Sequence, residues 1–230
     1  MSRPEQAPAG ARLSPMELAA RIDHTLLRPE ATEQDIRRLC EEARTYGFAS
    51  VCVNPYWVPL VAEELAESPV RVCTVVGFPL GANRTSTKVQ EALEAIRNGA
   101  RELDMVQHVG LLKSGAHQAL QADIRAVVEA AHAHGVLVKV ILETALLSDE
   151  EKILSAQLAQ QAGADFVKTS TGFGPGGATV HDVALLRRVV GPAMGVKASG
   201  GIRTRQQAEE LIQSGADRIG TSASVAIVTG

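Results

Sequence analysis

At 230 residues the chain is long enough for one large core, and it fits one α/β barrel as readily as two small domains. A formal net charge of −3 with 21% charged residues gives no basic field for nucleic acid, and 3% aromatics gives few base-stacking surfaces. No apolar run approaches the ~20 residues of a membrane span, and Cys40, Cys52 and Cys73 are too few and too irregular for a disulfide framework or a zinc site. They read as reduced thiols of a cytoplasmic protein.

Residues 1–12 lack the apolar run of a signal peptide and read as a flexible leader before a barrel region covering 13–230. Strand candidates follow at 21–26, 49–53, 71–77, 102–106, 137–143, 166–170, 195–198 and 218–221, with helical patterns filling the gaps. Three helix starts are marked by capping boxes: Thr32 with Asp35, Ser148 with Glu151, and Thr204 with Gln207. A helix predicted over 120–133 places Ile124, Val127, Val128 and Ala131 on one face. Gly99, Gly163 and Gly215 each stand just past a last helical turn, where a left-handed cap favours glycine, and Gly47 and Gly135 are looser versions. Strict alternation of helix and strand predicts a parallel sheet. Eight strands in this length predict an α/β fold closed into a single (β/α)8 TIM barrel. An open doubly wound sheet is the alternative, but the Gly-x-Gly-x-x-Gly of a dinucleotide fold is missing after the first strand.

Barrel chemistry is expected at the C-terminal strand ends. Period-2 alternation points Glu102 and Asp104 inward, together with Lys168, Ser170 and Lys197. An interior lysine is expensive because its charged form loses water. A second ammonium about 4–5 Å away disfavours that form by roughly 4 kcal/mol at an effective dielectric near 20. Lys168 and Lys197 on neighbouring strands would therefore leave one amine neutral often enough to attack a carbonyl, with Asp104 moving the proton. Lys139 is expected to bridge to Glu102, and Glu143 reads as structural. Glycine-rich turns at 172–177, 200–201 and 220–222 let backbone N–H groups approach an anion, which predicts a phosphate pocket. The six histidines, His24 among them, are scattered, so no clustered metal-ligand set is expected.

With those residues in place the chain resembles the deoxyribose-phosphate aldolases. The resemblance runs from Ile22 to Val228 and rests on ordered motifs, among them Asp23-His24-Thr25-Leu26, Val51-Cys52-Val53-Asn54-Pro55 and Glu102-Leu103-Asp104-Met105-Val106. It continues through Phe166-Val167-Lys168-Thr169-Ser170-Thr171-Gly172-Phe173 and Val196-Lys197-Ala198-Ser199-Gly200-Gly201-Ile202-Arg203. It implies reversible cleavage of 2-deoxy-D-ribose 5-phosphate to D-glyceraldehyde 3-phosphate and acetaldehyde, with no metal or other cofactor. It makes Lys168 the Schiff-base lysine, Asp104 the proton donor and acceptor, and Lys197 the activating partner. Gly172, Gly200, Gly201 and Ser222 match phosphate-contacting positions, and Asp23 and Cys52 match pocket positions. With Lys139 and Thr169 these make the expected substrate-binding set. The implied partners are small phosphorylated sugars and aldehydes, and the implied assembly is a cytoplasmic homodimer. Two departures stand out. Gln107-His108 follows Val106 where relatives often carry Asn and an aliphatic residue, and Ala223 stands where some members carry a second serine.

Overall fold

The computed structural model describes residues 13–230, so the leader expected at 1–12 lies outside the described residues. Eight parallel strands close on themselves in sequence order: β1 (Ile22–Leu26), β2 (Ser50–Val53), β3 (Arg71–Val76), β4 (Glu102–Val106), β5 (Leu137–Ile141), β6 (Phe166–Lys168), β7 (Gly195–Ser199) and β8 (Arg218–Thr221). The last strand pairs with the first through Ile22 and Ile219, which closes the ring and removes the open-sheet alternative. The first four helices are α1 (Pro15–Ala19), α2 (Glu33–Tyr46), α3 (Val58–Glu64) and α4 (Thr85–Arg97). The others are α5 (Val109–Lys113), α6 (His117–His132), α7 (Asp149–Gln161), α8 (Val180–Val190), α9 (Arg205–Gln213) and α10 (Ser224–Thr229).

The helix starts are set locally. Thr32, Ser148 and Thr204 each accept from the third helical N–H while the side chain at that position returns a bond to the cap. Ser14 and Glu17 form a fourth such box at α1. Gly47, Gly99, Gly135, Gly163 and Gly215 all take positive φ just beyond helix ends.

Period-2 alternation then sorts side chains into two layers. Leu103, Met105, Val138, Val140, Val167 and Val196 join the large apolar cluster between strands and helices. Glu102, Asp104, Lys139, Lys168 and Lys197 are left in the barrel interior, all buried. A smaller apolar group of Leu27, Cys52, Cys73 and Val75, with Phe78 against it, forms a separate cluster.

Two strands end two residues earlier than their patterns predict. β5 stops at Ile141 because Glu143 turns into the left-handed region at φ 57°. β6 stops at Lys168, although Thr169 N still donates to Lys197 O at 3.1 Å. Glu143 leaves its strand to hold a loop: its carboxylate accepts from the Thr171 hydroxyl at 2.5 Å and from the Thr171 N–H at 3.3 Å. That bond pins the start of the glycine-rich segment after β6.

Candidate active site

Lys168 and Lys197 are direct register partners on β6 and β7, and Asp104 and Lys139 are partners on β4 and β5. The four side chains meet around one carboxylate. Asp104 Oδ2 accepts from Lys168 Nζ at 2.8 Å and from Lys197 Nζ at 2.7 Å, and its Oδ1 accepts from Lys139 Nζ at 2.8 Å. A second tier lies beneath. Lys197 Nζ is 2.5 Å from Asp23 Oδ2, Lys139 Nζ is 2.7 Å from Glu102 Oε2, and Arg218 pairs with Asp23 at 2.5 Å. The expected Lys139–Glu102 bridge is therefore present.

The electrostatics differ from those of two amines alone. Burial pushes the Asp104 carboxyl up, but the ammonium groups of Lys139, Lys168 and Lys197 more than offset it and hold it well below the ordinary carboxylate range. Burial pulls Lys197 down, yet Asp104 and Asp23 together raise it above an ordinary lysine. Lys139 is raised for the same reason, with Asp104, Cys73, Glu102 and Asp23 outweighing burial. Lys197 and Lys139 thus stay ammonium. Among the described residues Lys139 contacts three carboxylates and Lys197 two, whereas Lys168 contacts that of Asp104 alone.

Lys168 is also the lysine that reaches a cavity. A space of about 310 Å³ opens at the C-terminal strand ends, with Lys168 at its base and Gly172, Gly200, Gly201 and Ser222 on its wall. Gly200 takes φ +91°, and a Cβ on Gly177 would lie 2.2 Å from Gly200 O, so the loops after β6 and β7 touch backbone to backbone. The lysines and the glycine turns, far apart in the chain, share one site.

A model of DeoC/LacD family aldolases matches residues 18–227. The chain belongs to the DeoC/LacD family aldolases. Its relatives include the deoxyribose-phosphate aldolase of Streptococcus sanguinis, 61% identical over 215 residues covering 94% of this chain and 97% of that one. Another is the deoxyribose-phosphate aldolase of Caldanaerobacter subterraneus subsp. tengcongensis, 59% identical over 93% of both chains. Among solved structures, the tetrameric deoxyribose phosphate aldolase from Aeropyrum pernix superposes with a TM-score of 0.90 at 41% identity, covering 95% of this chain and 92% of that one.

Within this family member the expected substrate-binding residues divide. Gly172, Gly200, Gly201 and Ser222 line the cavity, while Asp23, Cys52, Lys139 and Thr169 do not reach its surface. Thr169 donates its hydroxyl to Ser199 O at 3.1 Å and accepts from Ser199 N–H, linking β6 to β7. Cys52 faces Cys73 across β2 and β3 inside the small apolar cluster. Cys52, Cys73 and Asp104 bring ligand atoms within 4.8 Å of one another. Lys139 Nζ already lies 3.4 Å from Cys73 Sγ, and that ammonium repels a second cation.

The expected substrate-binding set leaves out part of the cavity rim. Thr25, Arg28, Phe173 and Arg203 all line the opening. Thr25 stands near the end of the first strand, Phe173 lies within the glycine-rich turn at 172–177 and Arg203 closely follows Gly200-Gly201, so each carried a signal; Arg28 carried none. The departures fall away from the cavity. Gln107 is buried, donating to Leu142 O at 2.7 Å and accepting from Ser155, and His108 caps α5. Ala223 N donates to Thr221 Oγ1 at 3.0 Å.

Proposed function

We propose that this chain is a class I aldolase that reversibly cleaves 2-deoxy-D-ribose 5-phosphate to D-glyceraldehyde 3-phosphate and acetaldehyde, with Lys168 as the Schiff-base lysine. The observation that carries the reading is one lysine at the base of a glycine-walled cavity, sharing a carboxylate oxygen with a second, permanently charged lysine.

Neutral Lys168 Nζ adds to the C1 aldehyde of the open-chain sugar. Asp104 serves as the proton carrier, 2.8 Å from that nitrogen. Loss of water leaves an iminium at C1. The C3 hydroxyl gives its proton to Asp104, the C2–C3 bond breaks, its electron pair forms the C1–C2 double bond, and the C1–N π pair moves onto nitrogen, leaving a neutral enamine. C3 leaves as the aldehyde of glyceraldehyde 3-phosphate. Protonation of C2 and hydrolysis of the iminium then release acetaldehyde and restore the amine. Lys197 places a fixed positive charge on the carboxylate oxygen it shares with Lys168, and Lys139 and Asp23 fix Asp104 and Lys197 in place. The phosphate end lies toward the backbone N–H groups of Gly172, Gly200 and Gly201, with Ser222 and Arg203 beside them.

Among the described residues no helix is long and apolar enough to cross a membrane. We read the enzyme as cytoplasmic, its three cysteines free, and as a homodimer. Light scattering on purified protein separates a dimer from the tetramer described for the Aeropyrum pernix structure.

Borohydride reduction in the presence of acetaldehyde tests the chemistry. The peptide bearing Lys168 should gain the mass of one ethyl group, and turnover should release glyceraldehyde 3-phosphate in a coupled assay. A peptide that stays unlabelled, or a label that persists in Lys168→Ala, removes the mechanism.

A further inference from the structure

His24 sits on β1 between Asp23, the partner of Lys197, and Thr25 on the cavity wall. Alternation turns its ring to the opposite face, where it is 3% exposed. It is neither a surface residue nor a packing residue alone. Nδ1 lies 2.8 Å from Ser224 Oγ and Nε2 lies 2.8 Å from Glu42 Oε2. One ring thus joins β1, α2 and α10, while Phe48 lies against it at 4.9 Å between ring centroids.

The proton positions follow from the partners. A carboxylate only accepts, so Nε2 carries the proton and Nδ1 is free to accept from the Ser224 hydroxyl. Burial lowers the pKa of His24, with Glu42 opposing, which agrees with a neutral ring. With its one proton given to Nδ1, the Ser224 hydroxyl ties the first turn of α10 to β1. Ser224 Oγ lies 3.1 Å from Thr221 O, and Thr221 Oγ1 donates to Ile202 O at 2.7 Å. Ile202 directly follows Gly200-Gly201, and Ser222 lies between Thr221 and the start of α10. His24 thus fixes Ser224 beside the turn at Thr221 and Ser222, and Thr221 separately ties that turn to the one formed by Gly200 and Gly201. α10 has six residues, too few to hold a helix by its own backbone bonds, so tertiary anchors set where its first turn lies.

We propose that His24 is a positioning residue: acting through Ser224, it fixes the β8–α10 turn and the adjoining glycine turn so that the wall fits the phosphate of the substrate. The identity of that substrate rests on the aldolase reading above; the tether itself does not. His24 touches no reacting atom, so its loss acts on phosphate affinity rather than on the lysine chemistry.

Ser224→Ala removes the tether and leaves the ring packing intact. Steady-state rates with 2-deoxyribose 5-phosphate and with unphosphorylated 2-deoxyribose are compared, and inorganic phosphate is titrated by calorimetry. Ser224→Ala should raise KM for the phosphorylated sugar roughly three- to tenfold and weaken inorganic phosphate binding by a similar factor. Loss in kcat should stay within about twofold for either sugar. Ser224→Thr, which keeps the hydroxyl, should restore affinity. In a His24→Phe background, Ser224→Ala should add less than about twofold, since both changes delete one bond. Unchanged phosphate affinity, equal losses on both sugars, or full additivity would overturn the proposal. If His24→Phe does not fold, the Ser224→Ala and Ser224→Thr pair decides. A wild-type protein that turns over neither sugar would sink the aldolase reading, while the phosphate titration would still judge the tether.

Discussion

Lys168 and Lys197, paired across β6 and β7, donate to the same Oδ2 of Asp104, at 2.8 and 2.7 Å. The oxygen brings the two nitrogens together and compensates them unequally, because Asp23 supports only Lys197 of the pair. One lysine is locked as an ammonium, and the other faces the cavity.

Lys197→Leu removes the fixed positive charge beside Lys168 and leaves Asp23 and Asp104 with less compensation. Both changes alter the electrostatic field at the Lys168 nitrogen. The rising limb of kcat against pH should move upward, with kcat at neutral pH down roughly 10²- to 10⁴-fold. A pH–rate profile checks this, and an unchanged limb refutes the electrostatic role.

Lys139→Met should hurt stability more than a surface change does. Lys139 is fully buried, and removing it takes one of three ammonium partners from Asp104 and the nearest cation from Glu102. Breaking such a buried network from one side costs about 3–5 kcal/mol. Urea denaturation gives the number; a loss below about 1 kcal/mol would mean the carboxylates find other partners.

Gly177→Ala should separate the loops after β6 and β7. The new Cβ would meet Gly200 O at 2.2 Å, and backbone on both sides cannot step aside as a flexible side chain would. Overpacking of this kind costs about 1–3 kcal/mol. Weaker phosphate binding with a lowered Tm is the expected result, measured by calorimetry and thermal melts.

Stability should vary with pH in steps. Asp104 and Glu102 are depressed below their ordinary values of 3.8 and 4.5, so their contribution is present above those values and is lost as pH falls below them. Lys197 is raised above its ordinary 10.5, so its contribution is present below that value and lost as pH rises through its folded value. His24 is lowered from 6.5: its buried neutral ring favours folding above that pH and loses ground below it. Thermal melts should show a plateau between pH 6.5 and 10.5, a shallow fall below 6.5 and a steep one below 4.5. His24→Phe should abolish the shallow fall alone.

Much of this molecule is written locally. Thr32, Ser148 and Thr204 start their helices through neighbours three residues away, and glycines end helices where only positive φ continues the chain. Alternation along β4 and β6 turns Asp104 and Lys168 inward whatever lies across the barrel. These features depend on short-range geometry, so the order of elements, the closed fold and the key lysines were legible in the sequence. The compensation of charge was not. Lys197 meets Asp104 across 93 residues, and Arg218 meets Asp23 across 195. Coulomb energy depends on the final separation, which sequence spacing does not set. The place of Arg28 on the rim, and the bond from His24 to Ser224, likewise arise only when closure of β8 on β1 brings the two ends of the chain together.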